Sequence, residues 1–278
     1  VNLLISPADL AHEIEDVVVI DVRWSLTTAG ANRGRAEYEE GHVPGAHFVD
    51  LDTELAAPPG EGGRHPLPDP AVVEAALRRC GVSERSRVVV YDGRESYAAG
   101  RAWWVFRWLG LPDVRVLDGG FAAWVAAGLP VSRTEPEAHH GGFVARPGSM
   151  PVVDADGAAE VARSGLLLDA RANERFVGDV EPIDAVAGHI PGAVNSPTAD
   201  WLAEDGTFRP DLAEHWSDVV GEGRAEAGVA VYCGSGVTAA HHVLALAELG
   251  VDAALYPGSW SEWIRDPARP VARGPESA

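Results

Sequence analysis

Val229-Ala-Val-Tyr-Cys233-Gly-Ser-Gly-Val-Thr-Ala-Ala240 changes character twice within a dozen residues. Val229 to Tyr232 is apolar and reads as a strand, and the run from Ala239 through His241 and Val243 to Ala247 reads as the helix after it. Between them lies a short loop, Cys233 to Thr238. Gly234 and Gly236 flank Ser235 and allow backbone angles closed to other residues, so successive N–H groups can turn toward one point. The helix N-terminus adds its positive end. A cradle of this kind holds an anion, and Cys233 stands at its mouth. The setting favours an ionised, reachable sulfur, which makes Cys233 a candidate nucleophile. The competing reading is a packed, inert cysteine closing a strand.

Working outward, the same pattern occurs earlier in the chain. Val88-Val-Val-Tyr91-Asp92-Gly93 matches Val229-Ala-Val-Tyr232-Cys233-Gly234, and Asp118-Gly119-Gly120-Phe-Ala-Ala-Trp124 matches Pro257-Gly258-Ser259-Trp-Ser-Glu-Trp263. Val17-Val-Val-Ile-Asp21-Val-Arg23 matches Leu166-Leu-Leu-Asp169-Ala-Arg171, and Gly-His-x-Pro-Gly-Ala recurs at His42 and His189. Four landmarks in one order, at offsets of 139 to 148 residues, indicate a duplicated domain. The expected organisation is an N-terminal domain over 1–131, a polar linker over 132–147 and a C-terminal domain over 148–278. Each half alternates strand and helix, so the predicted class is α/β, two domains each with a parallel sheet and helices on both faces, the Cys233 loop at the C-terminal edge of its sheet.

Position 92, the counterpart of Cys233, is aspartate and cannot carry a transferable sulfur. Chemistry is therefore expected in the C-terminal half alone, with the N-terminal half supplying one wall of the pocket.

Composition narrows the partners. The 278 residues are 46% hydrophobic and 23% charged, ordinary values for a globular chain, and carry a formal net charge of −20. That charge opposes binding to nucleic acid or to an anionic membrane. Two cysteines, Cys80 and Cys233, make no disulfide framework, so a reducing cytoplasm is expected. No apolar run reaches the length of a membrane span.

Cys-Gly-Ser-Gly-Val-Thr-Ala over 233–239 resembles the active-site loop of the tandem rhodanese family, specifically its 3-mercaptopyruvate sulfurtransferase branch. The thiosulfate branch usually has basic residues where Gly234 and Ser235 stand. The resemblance implies a sulfur transfer in which Cys233 becomes a persulfide, with Gly234, Gly236, Val237 and Thr238 around the bound group. It also implies that Asp52 and His65 meet Ser235 in a serine-protease-like relay, and that Arg175 binds the donor's carboxylate. A second substrate arginine, which vertebrate-type enzymes place a few residues before Gly-His-x-Pro-Gly, is missing from Glu181-Pro-Ile183-Asp184-Ala-Val-Ala187. Carboxylate binding is then weaker or completed from elsewhere.

The reaction expected is ping-pong transfer from a small donor to a thiol, cyanide or a thioredoxin-like acceptor, with no metal or organic cofactor. The alternatives are a thiosulfate sulfurtransferase, a persulfide carrier without turnover, and a Cdc25-like phosphatase. The last needs an arginine closing the loop, and none lies between Cys233 and Thr238. His42 and His189 recur in both halves and are read as turn-stabilising, Arg171 as a salt-bridge residue. His241-His242 lacks a third ligand at metal spacing.

Overall fold

Strands of four consecutive buried residues form the centre of each sheet because both faces are covered, as parallel sheets require. The computed structural model describes residues 2–24, 33–137, 140–220 and 224–275. It divides into two units, one of Val1–Ala57, Leu67–Met150 and Ala203–Phe208, the other of Pro58–Pro66, Pro151–Leu202 and Arg209–Ala278.

In the first unit the order is β1 (Leu4–Ile5), α1 (Pro7–Glu13), β2 (Val18–Asp21), α2 (Gly34–Glu40), β3 (His47–Phe48), α3 (Leu51–Glu54), α4 (Pro70–Arg79), β4 (Val88–Tyr91), α5 (Tyr97–Trp108), β5 (Val114–Leu117) and α6 (Gly120–Ala126). The five strands form one parallel sheet, β1-β5-β4-β2-β3. Helix starts carry the residues that satisfy their free N–H groups: Ser6 accepts from Asp9 N–H at 3.1 Å ahead of Pro7, and Asp69 accepts from Ala71 N–H at 2.9 Å ahead of Pro70.

The second unit runs α7 (Ala155–Ser164), β6 (Leu166–Asp169), α8 (Asn173–Val177), β7 (Val194–Asn195), α9 (Leu212–Val220), β8 (Val229–Tyr232), α10 (Thr238–Glu248), β9 (Ala253–Leu255) and α11 (Ser259–Trp263). Its parallel sheet has the order β7-β6-β8-β9, and Val152 extends it by one parallel bridge to Leu255, where β1 sits in the first unit. The duplication read from sequence is thus a duplication of topology. Asp21 pairs with Tyr91 across β2 and β4, and Asp169 with Tyr232 across β6 and β8. Tyr91 Oη accepts from Val43 N–H and Tyr232 Oη from Ile190 N–H, both at 3.1 Å.

The Asp-x-Arg motifs are structural in both units. Arg23 bonds Asp21 at 2.7 Å and donates to Gly41 C=O at 2.6 Å; Arg171 bonds Asp169 at 2.6 Å and donates to Gly188 C=O at 2.7 Å. All four side chains are buried, so each charge is compensated by its neighbour and by backbone. His42 Nδ1 lies 2.8 Å from Tyr38 C=O with the two rings stacked, and His189 repeats this with Phe176. Trp103, Trp104, Trp124, Trp260 and Trp263 are all buried as core.

The domain limits differ from those expected in two places. Residues 140–150 of the anticipated linker and its continuation belong to the first unit: Phe143 is 1% exposed, its N–H bonds Val82 C=O at 3.1 Å, and Arg146 N–H bonds Leu109 C=O at 2.8 Å. One buried side chain, Phe143, docks a segment whose other residues stay exposed or half-exposed, a signal that composition averages away. The second difference is Pro58–Pro66, which lies in the N-terminal half of the sequence and in the second unit of the fold.

Candidate active site

β8 ends at Tyr232, and Cys233 is the first residue beyond it, at the C-terminal edge of the second sheet. The loop is sewn to α11. Cys233 N–H donates to Ser259 Oγ at 3.1 Å, Trp260 N–H to Cys233 C=O at 3.0 Å, and Ser261 N–H to Gly234 C=O at 3.0 Å. Gly236 N–H points back at Cys233 Sγ, 3.1 Å away. An N–H directed at sulfur is what the anion cradle anticipated from the glycines requires. The sulfur is less open than expected, however. Cys233 is 2% exposed and Ser235 7%, because α11 closes over the loop from one side.

The two glycines sit in different settings. Gly236 has φ +79°, and a Cβ there would collide with Pro257 C=O, so both angle and space exclude a side chain. Gly234 does not have a positive φ; a Cβ there would lie 2.8 Å from Arg64 Nη2 and 3.6 Å from Arg175 Nη1. Two guanidinium groups therefore rest on the backbone next to the cysteine. Val237 precedes Thr238, the first residue of α10, and both contribute main chain to the loop's exit into that helix.

His65 Nδ1 lies 2.8 Å from Ser235 Oγ. Histidine and serine come together because Pro58–Pro66 is pinned to the second unit: Arg64 N–H donates to Ser261 Oγ at 3.1 Å, and Gly63, at φ +94°, leaves no room for a Cβ beside Ser261 and Gly258. Asp52, the third member anticipated for the relay, is in α3 of the first unit, where its Oδ1 accepts from the Trp24 indole N–H at 2.8 Å.

Arg175, anticipated as the carboxylate ligand, projects from α8 and already holds carboxylates of its own chain. Its Nη2 bonds Glu181 Oε1 at 2.7 Å and Asp184 Oδ2 at 3.1 Å, and its Nε bonds Glu181 Oε2 at 3.1 Å. Asp184 Oδ1 accepts from Arg64 Nη1. One carboxylate thus bridges both arginines. Burial acts to raise the Glu181 carboxyl, but the hydrogen bond from Arg175 and those from the Asp184 and Ile183 N–H groups outweigh it and hold Glu181 below its ordinary value. Burial dominates at Asp184 and pushes its carboxyl up despite Arg64 and Arg175.

Arg64, next to His65, reaches the loop from outside the stretch before Gly188 in which a second arginine is expected. The available signal was negative: Glu181 and Asp184 stand where a cation is expected, and acids so placed call for a cation from elsewhere in the chain. No group of three or more His, Cys, Asp or Glu able to hold a metal occurs among the described residues. His241 and His242 are buried in α10.

The rhodanese-like domain family matches residues 6–127 and again 154–266. A Pseudomonas aeruginosa protein provisionally named a 3-mercaptopyruvate sulfurtransferase is 47% identical over 267 residues, 93% of this chain and 93% of its own length. The Mycobacterium tuberculosis protein SseB, provisionally named a thiosulfate sulfurtransferase, is 46% identical over 295 residues, 98% of both chains. Among solved structures, the 3-mercaptopyruvate sulfotransferase SseA of Escherichia coli superposes with a TM-score of 0.81 at 32% identity, covering 94% of this chain and 100% of its own.

Proposed function

This chain belongs to the rhodanese-like family, with the domain present twice, and from that premise we propose that it is a sulfurtransferase moving sulfur from 3-mercaptopyruvate to a thiophilic acceptor through a Cys233 persulfide. The observation that carries the reading is the 2.8 Å approach of His65 to Ser235 inside the loop that begins at Cys233. A nucleophile, a hydroxyl and a histidine on one short loop suit a reaction whose leaving group must take up a proton.

In the first half-reaction the Cys233 thiolate attacks the donor's sulfur. The sulfur–carbon bond breaks, and its electron pair passes into the enolate of pyruvate. Ser235, backed by His65, delivers the proton that completes pyruvate, and Asp52 steadies the histidine as the family relay implies. The outer sulfur stays on Cys233, whose own Sγ accepts from the Gly236 N–H. In the second half-reaction an acceptor thiolate or cyanide attacks that outer sulfur, the S–S bond breaks and the Cys233 thiolate is restored. Burial of Cys233 protects the persulfide from indiscriminate reduction. Arg175 holds the donor's carboxylate, with the main chain of Gly234, Gly236, Val237 and Thr238 shaping the space around it.

Mass spectrometry of the intact protein after incubation with 3-mercaptopyruvate tests the reading. A gain of one sulfur is expected, absent from Cys233→Ser; a wild-type protein that gains none refutes it. A second reading, thiosulfate as the preferred donor, draws support from the two guanidiniums at Gly234 and from the name of the mycobacterial relative. The ratio of kcat/KM for the two donors decides between them, and mercaptopyruvate should win.

Both cysteines are free, which supports a reducing, cytoplasmic setting. No helix among the described residues is long and apolar enough to cross a membrane. The charge of −20 supports small-molecule and protein acceptors over nucleic acid.

A further inference from the structure

The first unit has a cavity of about 440 Å³ beside Gly93, the counterpart of Gly234. The two units can be matched there residue by residue. Tyr38 and Phe176 are equivalent, since each stacks on the histidine that follows Gly41 or Gly188, and the carbonyl of each lies 2.8 Å from that histidine's Nδ1. Glu37 therefore stands where Arg175 stands, one residue earlier in its helix. Arg23 packs over the Phe121 ring at 4.5 Å as Arg171 packs over Trp260 at 4.6 Å. In the second unit the loop between α8 and Gly188 covers that pair: Glu181 Oε2 meets Arg171 Nη1 at 3.5 Å, and Val186 C=O accepts from the Trp260 indole N–H at 2.8 Å. The first unit has no such loop, because Gly41 follows directly on α2, and Arg23 and Phe121 line the cavity instead.

The Arg23 side chain is 6% exposed, and its Nε and Nη2 are engaged by Asp21 and by Gly41 C=O. Its Nη1 has no partner among the described residues. Glu37, half-buried and in no ion pair among the described residues, lines the same cavity with Glu40, which meets only the exposed Arg33 at 3.9 Å. Val125 and Val131, 49% and 48% exposed, form an apolar wall. A Cβ on Gly93 would meet nothing within 4 Å, whereas one on Gly234 would meet Arg64 and Arg175. We propose that this cavity binds an apolar α-amino acid as its zwitterion, with the ammonium at Glu37 and Glu40, the carboxylate at Arg23 Nη1 and the side chain against Phe121, Val125 and Val131.

Charge selects the ligand. Asp21 neutralises Arg23, so Glu37 and Glu40 leave the cavity with negative charge in excess, which repels a simple carboxylate. A simple amine answers the two acids but leaves the buried Nη1 without an acceptor, and a buried donor so left is costly. A zwitterion satisfies both, and the volume lies within the range of small-molecule pockets. Glutamate in place of Arg175 and aspartate in place of Cys233 thus change an anion site with a nucleophile into a site for binding alone. Binding of this kind is independent of sulfur transfer at Cys233.

Ligand-observed NMR titrations of the full chain test this with L-leucine, with isoamylamine, which lacks the carboxylate, and with 4-methylpentanoate, which lacks the ammonium. Leucine should bind with a dissociation constant on the order of 1 mM, isoamylamine about tenfold more weakly and 4-methylpentanoate more weakly still. Glu37→Arg, which gives this position the residue type of Arg175, should reverse the order of the two singly charged probes. Val125→Asp should weaken leucine about tenfold or more by placing a charge against its side chain. Urea midpoints close to wild type should show that both variants keep the fold; if Glu37→Arg does not, Glu37→Gln serves in its place, with leucine weakened about tenfold and the preference for amine over carboxylate abolished. No leucine binding up to about 20 mM, some twentyfold above the expected constant, overturns the proposal. So does leucine binding that Val125→Asp leaves unchanged, which would place it elsewhere on the chain, or an order of the two probes that the Glu37 variant does not alter.

Discussion

Gly234 and Gly236 stand two residues apart in different settings, one beneath the ends of two guanidiniums and the other with a left-handed backbone that a side chain would strain. Their pairing around Ser235 was visible in the sequence, and the settings were not, since contact with Arg64 depends on a residue 170 positions away. Ser235 and His65 are likewise separated by 170 residues and joined by one hydrogen bond. If they act as one unit, His65→Ala and Ser235→Ala should each lower kcat with mercaptopyruvate by about a hundredfold, and the double variant should lose no more than the worse single one. Independent, additive losses in rapid-quench or steady-state assays would remove the relay. Asp52→Asn belongs to the same series, with a smaller loss expected in kcat.

The loops after β4 and β8 occupy equivalent places in the two sheets and do opposite things. Cys233 leaves its cradle for a passenger sulfur. Asp92 fills its own: the carboxylate accepts from the N–H groups of Arg94 at 3.1 Å, Ser96 at 3.0 Å, Ala98 at 2.9 Å and Ala99 at 3.2 Å. Burial pushes the Asp92 carboxyl up while those four donors pull it down, and burial prevails. The aspartate is thus an internal ligand for an anion site, closing off the start of α5, where Ser96 adopts the left-handed region at φ 60°. Asp92→Ala should leave these N–H groups without their acceptor and destabilise the protein by about 1–3 kcal/mol, read as a lowered midpoint in urea. Sulfur loading of Cys233 should persist in that variant. The expectation that the first unit transfers no sulfur comes from the residue type at position 92; that Asp92 plugs the cradle follows only from where the carboxylate points.

Across the whole molecule one topology has been used twice, with the same Asp-Arg pair, the same Tyr-to-backbone bond and the same stacked histidine. The units differ in α10, which carries two buried histidines. Burial drives His241 down to about 3, and burial with the neighbouring His241 and His215 drives His242 well below its ordinary value. Both are therefore neutral in the fold and protonate readily only when it opens. The unfolded chain binds protons that the native state refuses, so their contribution is complete above about pH 6.5 and is lost as pH falls from there toward 3. Between pH 7 and 5 the loss should be on the order of 2 kcal/mol for each histidine. Urea titrations at both values should show it, and His241→Leu should flatten the dependence; an equal slope in the variant would exclude the histidine as its source. The duplicated α/β architecture was determined by the sequence alone, because it is written in local patterns of burial, glycine and residue type that recur at a fixed spacing, and the candidate nucleophile and the expected silence of the first unit are read from those same patterns. The plugging of the Asp92 loop, the depth of Cys233 and the arrival of Pro58–Pro66 with Arg64 and His65 at the active loop were decided by tertiary structure. They depend on which distant backbones pack together, and packing pairs residues through space without leaving a periodic mark along the chain.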